Sequence, residues 1–342
     1  MVIKAGDRED PGMQFGVMLN HQYLADEDLG ARIDEGVEQT ELIRDRGYDL
    51  LFSHHHFLAN LQTPQPIPIL THLVPYSGEM RLGIAVYIAT LEHPVAIAET
   101  FATLDQISKG RTIFGVGAGY REHEFETFGV PHKTRLSRLY ETIEVCKGLW
   151  SGEPVTHHGK HFDLDEQRIG FRPAQGAEIP VWIGANGPKT IVRGAAHCDT
   201  WIASPHLKFK WLSGNLAAFK QEQQRLGLET AGRDYPCVRE LYVADTDQRA
   251  REELEPYIGK EYEAFSSYDS VYDNHYEEMW EKAFLVGSPE SIAAKIETLA
   301  EGGWNAFVFR CSWPGMPHEM TMRTIERFAD EVMPRFAGAA VR

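Results

Sequence analysis

Three consecutive histidines, His54, His55 and His56, follow a short apolar run and precede Phe57. Imidazole changes charge near neutral pH, so such a residue serves as acid, base or hydrogen-bond donor. A metal is the other use of clustered histidines. Consecutive side chains point in different directions, however, whereas ligand pairs are spaced i, i+2 or i, i+4, so no metal site is expected. His54 and His56 are read as structural hydrogen-bonders, with at least one histidine of the three at a functional mouth. A second candidate is the turn from Gly184 through Asn186, Gly187, Pro188 and Lys189 to Thr190. Amides at a helix N-terminus hold phosphate, and Lys189 and Thr190 add a cation and a hydroxyl. A plain strand-to-helix turn with proline at its first helical position fits the same residues equally well. Gly115, Gly117 and Gly119, with Ala118 and Tyr120 between and after them, let a planar ligand approach the backbone. They form G-x-G-x-G, not the dinucleotide G-x-G-x-x-G with an acid about 20 residues later. The run Trp313 to Pro317 reads as a rigid loop. No paired carboxylates or metal cluster stand at the expected rim, which disfavours a hydrolase.

These residues need elements to position them. Apolar runs at 15–19, 49–53, 81–88, 112–117, 180–185, 200–204, 238–244 and 306–310 read as strands. Between them lie amphipathic segments at 28–46, 67–76, 95–108, 135–150, 189–196, 209–226, 288–300 and 319–333. Gly47 and Lys109-Gly110 are helix stops, while Pro94 and Ser288-Pro289 are helix starts. About eight β-then-α units call for a parallel sheet under helices, and eight favour a closed (β/α)8 TIM barrel with insertions. One domain is expected over 1–342, with insertions at about 151–179 and 256–284. The second is rich in Tyr, Glu and Asp. Tyr257, Tyr262, Phe265, Tyr268, Tyr272 and Tyr276 mark it as a mobile lid over a small, largely apolar substrate. In such a barrel, function sits at the C-terminal strand ends, where the histidines, the glycine run and the 184–190 turn all fall.

Composition narrows the partners. A formal charge of -16 over 342 residues argues against nucleic acid or an anionic membrane. The four cysteines, Cys146, Cys198, Cys237 and Cys311, show no C-x-x-C spacing, so neither zinc nor a disulfide framework is expected. No run reaches the roughly 18 apolar residues that span a bilayer. The start of the chain is charged and lacks the apolar stretch of a secretory signal. A soluble, cytoplasmic protein is expected.

The run LGIAVYIATLEHPVAIAETFATLDQISKGRTIFGVGAGYREHEFETFGV resembles the luciferase-like monooxygenases, including the bacterial luciferase α subunit. His93-Pro94, Leu104 to Arg111 and Phe125 to Gly129 carry the likeness most closely. His54-His55-His56-Phe57 is similar to the family's E-H-H-F. WIGANGPKT with RGAAHCDTWI, VGSPESIAAKIETLAEGG, and Glu331-Val332-Met333-Pro334 extend it over about residues 14–336. The resemblance implies a barrel that binds reduced FMN as a cosubstrate, delivered by a separate flavin reductase, and reacts it with oxygen through a flavin hydroperoxide. His55 matches the family's active-site histidine. Ala85 and Val86 match a pair that lines the isoalloxazine, where the family has a non-proline cis peptide. Gly117 matches a cysteine beside the flavin, and Asn186, Gly187 and Thr190 match the phosphate side. His54 stands where the family has an acid, Ala118 where it has a phosphate-gripping arginine, and Asn186 where it has a second acid. Lys189 is the replacement cation. The alternative cofactor is the deazaflavin coenzyme F-420, used for hydride transfer, whose acidic tail would lie along Lys189, Arg193, Lys208 and Lys210. A non-catalytic flavin-binding relative is a third reading. A homodimer is expected from the resemblance.

Overall fold

The computed structural model describes residues 12–266 and 276–337. In chain order the strands are β1 (Gln14–Met18), β2 (Leu50–Ser53), β3 (Arg81–Ile84), β4 (Tyr87–Ile88), β5 (Thr112–Gly117), β6 (Val155–His158), β7 (Asp163–Gln167), β8 (Val181–Gly184), β9 (Thr200–Ile202), β10 (Pro236–Val243), β11 (Leu285–Gly287) and β12 (Ala306–Arg310). The helices are α1 (Leu29–Asp45), α2 (Pro66–Leu73), α3 (Pro94–Ile107), α4 (Glu122–Thr127), α5 (Arg135–Trp150), α6 (Pro188–Gly194), α7 (Phe209–Arg225), α8 (Asp247–Ser266), α9 (Tyr276–Lys282), α10 (Pro289–Glu301) and α11 (His318–Glu331).

Parallel pairing runs β1-β2-β3-β5-β8-β9, and from β1 the other way through β12 to β10. The last gap closes at Ala203. Its N–H donates to Pro236 O at 3.0 Å, and Val238 N–H donates to Ala203 O at 2.9 Å. The ring thus has eight positions, with β4 continuing the β3 position against β5. This is the expected barrel. It forms because its strands are buried on both faces, so alternate residues fill either the interior or the helix layer. Met18, Leu50, Phe52, Ile113, Trp182, Ile202, Val238, Ala306 and Val308 fill the interior. Their neighbours Val17, Leu51, Leu82 and Phe307 pack under the helices. At the N-terminal end Arg81 pairs with Asp234 at 2.7 Å, and Gln14 Nε2 donates to Asp234 at 2.5 Å. The Arg81 guanidinium lies 5.5 Å from the Trp182 ring centre, and Phe52 stacks on Trp182 at 5.4 Å.

Several elements differ from expectation. The 81–88 strand divides into β3 and β4 at a cis Ala85–Val86 bond, at the pair where the resemblance implied one. The 67–76 helix ends at Leu73 and tightens into a 3₁₀ turn, Val74–Tyr76, which carries Pro75. Helix α4, six residues long, was too short to read from periodicity. The 151–179 insertion carries an antiparallel hairpin, β6-β7. The 256–284 insertion does not begin at Pro256, because α8 runs through it, with buried Leu254 and Ile258 on either side. β11, unforeseen, pairs with the upper half of the eight-residue β10. Tyr268, Tyr272 and the side chain of Phe265 lie outside the described residues. Ser288 caps α10 as expected, accepting from Ser291 N–H at 3.3 Å. Among the described residues, no helix is long and apolar enough to cross a membrane. All four cysteines are buried and unpaired by disulfides.

Candidate functional site

Strand alternation decides what each histidine does. Leu50 and Phe52 face the barrel interior, and one further step of two puts His54 on the same side, at the C-terminal mouth. His54 is 8% exposed, and neither of its ring nitrogens has a protein partner. Its ring lies 5.6 Å from that of His56. Burial holds its pKa well below the usual 6.5, and the positive fields of His56, His21, Arg310 and His55 act in the same direction. An unpaired buried donor or acceptor costs about 1–3 kcal/mol, so the arrangement is costly for the fold. The expectation that His54 is a structural hydrogen-bonder is therefore corrected.

His55 holds that place instead. Its Nδ1 accepts the Ile88 N–H at 3.1 Å, which leaves the hydrogen on Nε2, and Nε2 donates to Gln65 Oε1 at 2.9 Å. Tyr87 stacks on it at 4.5 Å and Phe57 meets it edge-on at 4.4 Å. Burial lowers its pKa to about 4. His55 is thus a neutral, fully engaged imidazole that ties the end of β2 to β4. His56 turns toward Tyr120, 6.4 Å between ring centres, and its pKa falls to about 3 through burial first and Arg121 second. Glu124 on α4 fixes the next residue, accepting the Phe57 N–H at 3.1 Å, and burial raises its pKa. Among the described residues, no group of three or more His, Cys, Asp or Glu is arranged to hold a metal ion.

The glycines serve a purpose the sequence did not show. A Cβ on Gly115 would stand 1.9 Å from Ile84 O, on Gly117 2.4 Å from Val86 Cγ2, and on Gly184 2.7 Å from Val86 Cγ1. They make room for the chain at Ala85–Val86, whose side chains then pack against the interior core. Gly119 has φ +71°, a conformation that favours glycine, and brings the chain over Ile88 and Phe125. Ala118 O accepts the Thr90 hydroxyl at 3.0 Å, and Tyr120 stands at the outer edge, 37% exposed. Together these small residues and the Ala85–Val86 pair make an apolar stretch at the strand ends.

At the other end, Gly187 caps α6, and its carbonyl accepts Thr190 N–H and Ile191 N–H at 2.9 and 3.0 Å. A Cβ on Gly187 would approach only the Thr190 hydroxyl, at 3.8 Å. Lys189 is exposed, and Asn186 and Thr190 are half-buried. Gly187 thus leaves open space at the start of α6, with the Thr190 hydroxyl nearest.

Three residues at the mouth, Arg310, Glu240 and His206, went unnoticed in the sequence. Arg310 Nε lies 3.3 Å from Glu240 Oε2, with Glu240 fully buried. The Tyr262 hydroxyl donates to Glu240 Oε1 at 2.9 Å, and His206 meets Tyr262 edge-on at 5.2 Å. Burial, then Arg310 and Arg239, lower the His206 pKa to about 3. Arg310 and Glu240 were legible by alternation, each standing two residues beyond an interior valine, Val308 and Val238. The lid aromatics behave differently from expectation. Tyr262, Tyr276, Trp280 and Phe284 pack on one another at 5.2–5.9 Å and on Tyr242 of β10, so they build the insertion's own core. Tyr262 also reaches the polar mouth through its bond to Glu240.

A sequence profile described as luciferase-like monooxygenase matches residues 13–306. The chain is 22% identical, over 358 aligned positions covering 96% of it and 97% of the relative, to the oxygenase component of a flavin-dependent trigonelline monooxygenase from Acinetobacter baylyi. It is 26% identical over 347 positions, covering 95% and 97%, to an F420-dependent glucose-6-phosphate dehydrogenase from Nakamurella multipartita. Among solved structures, the monooxygenase RslO1 from Streptomyces bottropensis superposes with a TM-score of 0.85 at 21% identity, covering 95% of this chain and 100% of that one, which bears on the fold alone.

Proposed function

The chain belongs to the luciferase-like monooxygenase family, and on that premise we propose that it is an oxidoreductase using reduced FMN and oxygen on a small organic molecule in the barrel mouth. The observation that supports the reading is the meeting of small and apolar residues at the strand ends. Ala85 and Val86 form an apolar wall over Gly117 and Gly184, and the turn of Asn186, Gly187, Lys189 and Thr190 lies at the end of the adjacent strand. These residues fit a tricyclic ring with a phosphate. Lys189 and Thr190 would hold the phosphate by ammonium and hydroxyl, while Gly117, Ala118, Gly119 and Tyr120 edge the ring. When bound, the reduced flavin supplies the electrons for oxygen reduction. His55, locked to Ile88 and Gln65, keeps the β4 end in place. A mouth closed over the bound molecule would exclude water and strengthen each polar contact inside it. The buried Glu240–Arg310 pair favours a substrate with hydrogen-bonding groups over a wholly apolar one. A separate reductase would supply the reduced FMN.

Relatives named for F420 give a second reading, hydride transfer with a deazaflavin. Its acidic tail needs free cations at the rim. Lys208 is bonded to Glu278 at 2.8 Å, Lys210 lies over the Trp211 ring at 5.0 Å, and Arg193 over Tyr140 at 5.4 Å. Lys208 is thus committed to an ion pair, while Lys210 and Arg193 keep their charge beside their rings. The experiment is an anaerobic titration with reduced FMN and, separately, with F420, followed by admission of oxygen to the FMN complex. Tight binding of reduced FMN and a reoxidation rate that differs from free reduced flavin are expected. Selective binding of F420 would replace this reading with the second.

A further inference from the structure

We propose that His54 is the catalytic histidine of the mouth, a neutral imidazole that hydrogen-bonds the molecule filling the barrel, while His55 is a positioning residue. The inference rests on the flavin reading above and adds to it the residue that touches the bound molecule.

Three observations meet at His54. It lies on the interior side of the strand path, beyond Leu50 and Phe52. Both of its nitrogens are buried and have no protein partner. Its two neighbours in the triple are otherwise committed in direction, His55 to Ile88 and Gln65, His56 toward Tyr120. Buried polar atoms in folded chains are nearly always hydrogen-bonded, and the exceptions concentrate where a chain binds something. A neutral imidazole offers one N–H and one lone pair. Arg310, His21 and His56 around it disfavour a second proton on the ring. His54 therefore acts in its neutral form, donating to an oxygen or nitrogen that gains negative charge or accepting from a ring N–H. It need not exchange a proton to do so. The acid expected at this position from the resemblance offers acceptors only when ionised, so the histidine adds a donor at neutral pH.

The test uses the full chain labelled with ¹⁵N-histidine. Long-range ¹H–¹⁵N spectra report the tautomer and bonding of each ring, and His54→Gln and His55→Gln assign the two residues. In ligand-free protein the His55 ring is expected as the fixed Nε2–H tautomer. On adding reduced FMN under anaerobic conditions, or F420, the His54 nitrogens are expected to shift and those of His55 to stay. His54→Leu should weaken cofactor binding about tenfold, the worth of one good hydrogen bond. His54→Gln, which retains a donor and an acceptor, should recover most of that. Binding with the His55 ring shifted and the His54 ring unmoved would overturn the assignment and leave the flavin reading intact. Binding by His54→Leu equal to wild type would do the same. Failure of the wild-type chain to bind either cofactor would remove the flavin reading and this inference with it.

Discussion

At the N-terminal end of the barrel, Asp234 holds Arg81 at 2.7 Å and Gln14 at 2.5 Å, with the Arg81 guanidinium against the ring of Trp182. At the C-terminal end, Arg310 and Glu240 also pair, yet beside them His54 keeps both nitrogens without a protein partner. Similar polar groups are buried at both ends of one tube. Those at the floor satisfy each other, whereas those at the mouth are held ready for something else. The floor is built for stability and the mouth for binding, the division expected of this barrel class. The fold absorbs the cost of the mouth through its core, since a few unpaired groups at about 1–3 kcal/mol each are tolerable only where many buried contacts offset them.

Acid should separate the two ends most strongly. Burial lowers the pKa of His21 and His55 to about 4, and those of His56 and His206 to about 3. Their folded values lie below the unfolded 6.5, so between these limits the unfolded chain binds more protons. Stability is complete above pH 6.5, falls as pH drops toward 4, and continues to fall to about 3 for the last two. Each group contributes on the order of a few kcal/mol. Hydrogen exchange at pH 7 and at pH 5 should show the mouth losing protection before the floor. Equal loss at both ends would break the comparison. Next in size, Asp234→Ala leaves Arg81 buried without its carboxylate and should cost about 3–5 kcal/mol in urea unfolding. Affinity for reduced FMN should not change. A matching loss of affinity would show that the floor and mouth are not separable. Gly184→Ala forces a Cβ against Val86 and should cost about 1–3 kcal/mol and weaken FMN. Gly187→Ala, with open space above it, should leave stability unchanged and weaken FMN more than riboflavin, which lacks the phosphate. Equal effects on the two ligands would move the phosphate elsewhere. In the ligand-free chain, His54→Leu should raise the melting temperature through about 1 kcal/mol of relieved burial. His55→Leu should lower it.

Most of the scaffold was legible. Eight apolar runs with a helix after each, Gly47 and Gly110 at helix ends, and Ser288-Pro289 at a helix start all carry their signal within a few neighbouring residues. Helix α4 and strand β11 were too short to give one, and β11 forms only because β10 extends past the barrel to receive it. Arg310 and Glu240 were readable as inward-facing positions, but their meeting across β12 and β10 was not.

By itself, the sequence determined how many units the chain has and at which strand ends its polar residues fall, because strand and helix periods are local properties of side-chain spacing. Alternation along β2 points His54 inward, but only the tertiary structure decided which histidine would be satisfied. The Ile88 amide, 33 residues away, bonds His55, and no described residue reaches the His54 nitrogens. The glycines at 117 and 184 follow the same logic, since what they accommodate is Val86, a side chain brought from another strand.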